Sequence, residues 1–149
     1  MTERLEPFVE LLALIERYGW AIRHVMGNPE SGAAPFSYTV GLTALDHPEL
    51  VATGLPFDVA QSSLNSAGLL VKEGAILENG LVTDALSESG TVTFMTATDV
   101  SGLAAVREVY GDNVHALQLI WPDSSNHYPW DAGYNNPTSA QPPLGDRPK

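Results

Sequence analysis

The chain has 149 residues, 44% of them apolar and 17% charged, enough for one globular domain with its own core. Eighteen acids against seven bases leave a net charge of −11, which excludes the Lys/Arg clusters that a nucleic-acid surface or an anionic membrane contact requires. There is no cysteine, so disulfides, thiolate metal sites and cysteine nucleophiles are excluded too. No apolar run of membrane-spanning length and no signal-peptide pattern stands in the chain, and the expectation is a soluble, cytoplasmic protein. A basic protein partner or a neutral or cationic small molecule stays open.

Leu5, Phe8, Val9, Leu12 and Ile15 recur at helical spacing before Gly19, which predicts an amphipathic helix over 4–18 with Leu12 in the core. "WAIRHVM" alternates as a half-buried strand, and "GNPESGAAP" is a loop. "FSYTVGL" (36–42) sets bulky Phe36, Tyr38 and Val40 against small Ser37, Thr39 and Gly41. The small face lets a helix, another backbone or a ligand come close, and helix packing is the favoured reading. "LVATGL" reads as a short buried strand. Asp58 with Gln61 forms a capping-box pattern, followed by a helical face of Ala60, Leu64, Ala67 and Val71. Asn79-Gly80 within "ILENGLV" predicts a type I′ hairpin, and "TVTFMTAT" a strand. Asp99 is placed to cap a helix that carries Leu103, Val106 and Tyr110. "VHALQLIW" (114–121) is apolar on both faces, as a central strand is.

About three helices and about six or seven strands follow, without strict alternation. A doubly wound parallel sheet is therefore disfavoured. The expectation is a single α+β domain over 1–149 with a mixed or largely antiparallel sheet. From Pro122 onward the chain holds six of its eleven prolines. That segment, 122–149, is expected to wrap the body as an extended arm and to fray in "GDRPK".

The stretches "YGW" (18–20), "FSYTVGL", "HPEL" (47–50), "ENG" (78–80), "QLIWPD" (118–123), "YPW" (128–130) and "QPPLG" (141–145) together resemble the bacterial family called domain of unknown function 4262. The resemblance implies a small bacterial, cytoplasmic protein. It brings no reaction, cofactor or catalytic residue with it, but the family pattern includes the positions of Asp123 and Trp130.

The familiar catalytic signatures (G-x-S-x-G, H-E-x-x-H, P-loop, G-x-G-x-x-G) are absent. "QLIWPDSSNHYPWDAGY" (118–134) carries two of the three tryptophans and the densest titratable group, Asp123, His127 and Asp131. Such a trio suits acid–base catalysis if burial separates its pKa values. Trp121 and Trp130 would supply that burial or a stacking surface for a planar or sugar-like ligand. The competing reading makes Asp123 an Asx-turn former and the tryptophans a seal on the sheet. Gln118, an amide within an apolar strand, needs several partners and is expected to brace the central strand against a loop, with the Pro122–Trp130 arm as the candidate, or to contact ligand. His47 and Glu49 are candidates at a strand mouth, with capping of a turn by Glu49 the favoured alternative. Thr39 on the small face is a contact candidate. His24 and His115 are read as buried strand histidines, either satisfied within the core or facing a common cleft. No ligand spacing supports a metal, and no cofactor is indicated. Two functions emerge: a small-ligand pocket under the Trp121–Trp130 arm, hydrolytic in its sharper form, or a non-enzymatic protein-binding module of the acidic immunity-like or regulatory kind.

Overall fold

The computed structural model describes residues 6–28, 30–84, 86 and 91–146. Its elements in chain order are α1 (Glu6–Tyr18), β1 (Ala21–Val25), β2 (Phe36–Val40), β3 (Glu49–Thr53), α2 (Phe57–Lys72), β4 (Val82–Thr83), β5 (Val92–Ala97), α3 (Ala104–Tyr110) and β6 (Ala116–Ile120). Short 3-10 helices occupy Leu42–Leu45 and Thr138–Ala140. The six strands form one sheet in the order β1-β2-β3-β6-β5-β4. Every pairing is antiparallel except β3 with β6, where Glu49 lies opposite Ala116 and Val51 opposite Gln118. This is the expected α+β domain with a mixed sheet. β3 and β6 can run parallel because α2, β4, β5 and α3 all intervene, ample chain for a crossover.

Both sheet faces are covered. On one, α2 lays Ala60, Leu64, Ala67 and Val71 over Leu50, Phe94, Leu117 and Leu119. The other joins Leu11 of α1 and Leu103, Ala105 and Val106 around α3 to Tyr38, Val40 and Val51. The small side chains Ser37 and Thr39 are wholly buried on the α2 side, so helix packing explains them. β6 lies between β3 and β5 with all five residues buried, as its unbroken apolar pattern requires.

Several local expectations are corrected. Among the described side chains of α1 the buried one is Leu11, 3% exposed, and not Leu12, 40% exposed. Leucines and isoleucine at 11, 12, 14 and 15 leave the apolar stripe too broad to fix the buried position to one residue. Leu5 lies outside the described residues, as does the side chain of Phe8. The Asp58 capping box is absent, because α2 starts at Phe57 behind Pro56 and has no side-chain cap. Asp99 bonds Ser101 in an Asx turn, and Leu103 stands at the cap position of α3. Asn79-Gly80 does turn, with Leu81 N–H donating to Glu78 O. Only Gly80 has a positive φ there, however, so the turn is not type I′ and no strand precedes it. The hairpin in this region joins β4 and β5.

His115 is exposed, just before β6, while His24 is half-buried with Nδ1 2.6 Å from Ser37 Oγ. Neither sits in the core, and they share no cleft lining. The segment after Pro122 is not a simple extended arm. Residues 123–135 fold into compact turns, and 141–146 then cross the sheet on the α3 side. Of "GDRPK", residues 147–149 lie outside the described residues.

Candidate functional site

The parallel pair β3 and β6 has two ends, and the candidate residues divide between them. At the amino end stands Glu49, wholly buried. Its carboxylate accepts from the N–H groups of Gly41, Leu42 and Thr43 and from the hydroxyls of Thr39 and Thr43, at 2.7–3.0 Å. The three N–H groups are the orphan donors that open the 3-10 helix, and with the two hydroxyls they hold the buried carboxylate by five hydrogen bonds. Gly41 is required for this: its φ is 139°, and a Cβ would lie 2.5 Å from Gly19 O. Thr39 also receives Leu50 N–H, so its hydroxyl is spent on both sides. His47 is closed as well. Nε2 accepts Leu77 N–H at 3.0 Å, which leaves the ring proton on Nδ1 to donate to Pro48 O. Burial, then the Glu49 charge, push the nearby Tyr110 hydroxyl up from its ordinary range. Turn capping, the milder reading of Glu49, describes what its carboxylate does.

Between the two ends, at the middle of β6, Gln118 is wholly buried and fully bonded. Its amide nitrogen donates to Thr53 Oγ1 and Pro142 O, and its oxygen accepts Leu144 N–H at 2.7 Å. The loop it braces is 142–144, further along the chain than Pro122–Trp130. Gln141 does the same for Trp121, accepting its N–H and donating to its carbonyl. Trp121 Nε1 donates to Thr53 O, so the indole is fixed over the strand ends. The chain is so close here that a Cβ on Gly54 would fall 1.8 Å from Ala140 O.

Asp123 organises the next turns. Oδ1 accepts the N–H groups of Ser125 and His127, and Oδ2 accepts that of Asn135. Burial works against its charge, but the N–H groups of His127, Asn135 and Ser125, with the His127 charge, outweigh it and hold the carboxyl below the usual carboxylate range. His127 Nδ1 lies 3.9 Å from Asp123 Oδ1, beyond hydrogen-bond reach, and is buried with no partner although 40% of its side chain is exposed. Tyr134 Oη, in the same turns, is likewise buried and unpartnered. Asp131 accepts Tyr128 N–H, closing a separate turn, and Tyr128 packs on Trp130 at 5.5 Å between ring centroids.

Trp121 and Trp130 serve different hollows. A cleft of about 220 Å³ on the α2 side is lined by Leu55 and Val59 near the start of α2, Thr91, Leu119, Trp121 and the loop through Asn126. Its walls combine apolar groups with Ser63, Thr91, Ser124, Asn126 and Asp123, whose carboxylate is taken up by three main-chain N–H groups, and contain no cation. Asn126 holds φ at 63°, a left-handed conformation that asparagine tolerates. A second hollow of about 250 Å³, on the opposite face, is framed by Trp130, Met95, Ile120 and Gln141. His127 and Asp131 line neither.

Sequence reasoning missed Gln141, Thr53, Thr91 and Asn126. Gln141, Thr53 and Thr91 act through contacts between distant segments, which leave no local spacing, and Asn126 joins the cleft wall only because its loop folds back beside α2. Among the described residues no group of three or more His, Asp or Glu is arranged to hold a metal ion, and no helix is long and apolar enough to cross a membrane. Neither a curated protein nor a solved structure matches the chain. The family described as domain of unknown function 4262 matches residues 14–135, with "QPPLG" beyond the matched span, and the chain belongs to that family.

Proposed function

We propose that the protein binds a small, neutral, ring-sized ligand in the cleft beside Trp121. The observation that carries this is the cleft's position beyond the carboxyl ends of β3 and β6, with Leu55 after one strand and Trp121 after the other among its lining residues. Loops at such ends diverge and leave a crevice, the usual ligand position in open sheets with parallel strands. The indole offers a flat apolar wall. Ser63, Thr91, Ser124 and Asn126 offer hydroxyl and amide partners for a polar edge, and the lack of a lining cation disfavours an anion. The test is an amide NMR screen of neutral single-ring compounds, monosaccharides and free bases among them. Shifts confined to Trp121–Asn126, Thr91 and Ser63, and lost in Trp121→Ala, are expected. No shift there with any compound, or shifts that survive Trp121→Ala, would overturn the reading.

A hydrolytic form of this function has one feature in its favour, the buried, unpartnered His127 Nδ1 beside Asp123. Because His127 lines neither hollow, this form requires the 123–135 turns to bring its ring to the cleft. Closure of the 3.9 Å gap would then let Asp123 orient the ring and leave Nε2 as general base, with Asp131 holding the neighbouring turn. Hydrolysis of a bound ester or glycoside that disappears in His127→Gln, with binding retained, is the expected outcome.

A further inference from the structure

A larger trough lies elsewhere, along the free edge of the sheet. β1 is the edge strand, pairing with β2 alone, and no other described segment bonds to its outer side. α1 and α2 flank that edge on opposite faces. Between them runs a groove of about 590 Å³ with Trp20, Ala21 and Ile22 at its base. A hollow of about 110 Å³ continues it along the strand to Arg23. The walls carry exposed apolar side chains, Leu14 and Tyr18 from α1 and Leu69 from α2, at 44–51% exposure. The base is rigid: Trp20 Nε1 donates to Asn65 Oδ1, and the indole lies against Gly68, where a Cβ would sit 2.7 Å from it.

Charge selects the occupant. In a chain of net charge −11, three of the seven bases, Arg17, Arg23 and Lys72, line this trough. None of them pairs with a described carboxylate, and the one lining acid is Glu10, in the smaller hollow. Placing Arg17 and Lys72 in the last turns of their helices balances the helix dipoles, but it does not account for an open apolar trough between them. A second copy of the chain would set the same cations against each other. A compact small molecule would leave the strand's outer N–H and C=O groups unused.

From these features we infer that the β1 edge takes an extended acidic peptide segment by strand addition. The peptide backbone bonds to β1, and alternate side chains meet the α1 and α2 walls, while its carboxylates meet Arg17, Arg23 and Lys72. This surface is independent of the Trp121 cleft. Its charge preference is the reverse of that expected of the acidic surface as a whole.

The probe is a fluorescein-labelled, end-blocked hexapeptide alternating Val with Glu, compared with the same peptide carrying Lys for Glu. Anisotropy should show saturable binding of the Glu peptide only, weakened by salt and by about tenfold in Arg17→Glu/Lys72→Glu. Both changes are on exposed side chains, and an unchanged urea midpoint confirms folding. Independently of any variant, the Glu peptide should slow amide hydrogen exchange in Ala21–Val25 and leave the other edge, Val82–Thr83, unchanged. Absence of binding, equal binding of both peptides, or binding without protection of β1 overturns the inference. So does a concentration-dependent dimer that protects β1 without peptide.

Discussion

Two carboxylates stand at opposite ends of one parallel strand pair, each with a histidine close by in the chain. Glu49 and His47 sit at the amino end, and Asp123 and His127 beyond the carboxyl end. Both acids accept main-chain N–H groups from a tight turn. The difference lies in what is left over. Glu49 holds five donors and His47 has both ring nitrogens bonded. Asp123 holds three donors, and His127 keeps a buried nitrogen with no partner. A saturated network contributes to stability and has nothing to offer a ligand. The unsaturated one is where a water, a proton or a substrate atom has a place. Two groups that look alike in sequence thus separate by their unused valences.

The comparison is broken most directly at Glu49. Glu49→Ala removes the acceptor of five hydrogen bonds, three of them fully buried, and should cost about 4 kcal/mol or more, read from urea unfolding. A midpoint near wild type would mean that the knot is not structural. His47→Ala should follow at about 2–3 kcal/mol, because it removes buried packing and leaves Leu77 N–H bare. Near-neutral behaviour there would remove His47 from the network.

How far this contrast was legible in the sequence depends on the range of the contacts. The α2 face, the central strand and the small face of β2 follow from periodicity, because each element meets one neighbour along a regular stripe. The cap by Glu49 was within reach, since its donors lie six to ten residues away. Gln118 was readable as a brace but not its target: its partners stand at 53, 142 and 144, and nothing local marks them. The buried face of α1 differs by one residue from the expected one because Leu11 and Leu12 are adjacent and either fits the apolar stripe. Tryptophan content pointed to one pocket for Trp121 and Trp130, whereas β6 sends Trp121 to the α2 side and the later turns carry Trp130 to the other.

Asp123→Asn should have a smaller effect than either change at the amino end, and one that depends on pH. The folded carboxyl titrates below its unfolded value, so its contribution is present above the unfolded value near 3.8 and is lost as pH falls through the lower folded one. The gap in urea midpoint between wild type and Asp123→Asn should therefore hold steady from neutral pH down to about pH 5 and close below about pH 4. A gap that widens in acid would reverse the assignment.

The smallest effect is expected at His127, and there the comparison is sharpest. Its ring is partly exposed, and Nδ1 gives up no hydrogen bond when removed, so His127→Ala should cost less than about 1 kcal/mol. His47→Ala deletes the same side chain from a closed network and should cost several times as much. The two substitutions, made in one background and unfolded under one condition, cancel the intrinsic difference between histidine and alanine. What remains is the value of the partners. Equal losses would mean that His127 is as much a brace as His47, with a water completing its bonds. A small loss at His127, joined to a weakened ligand response at Trp121–Asn126, would place the free valence of the carboxyl end in use.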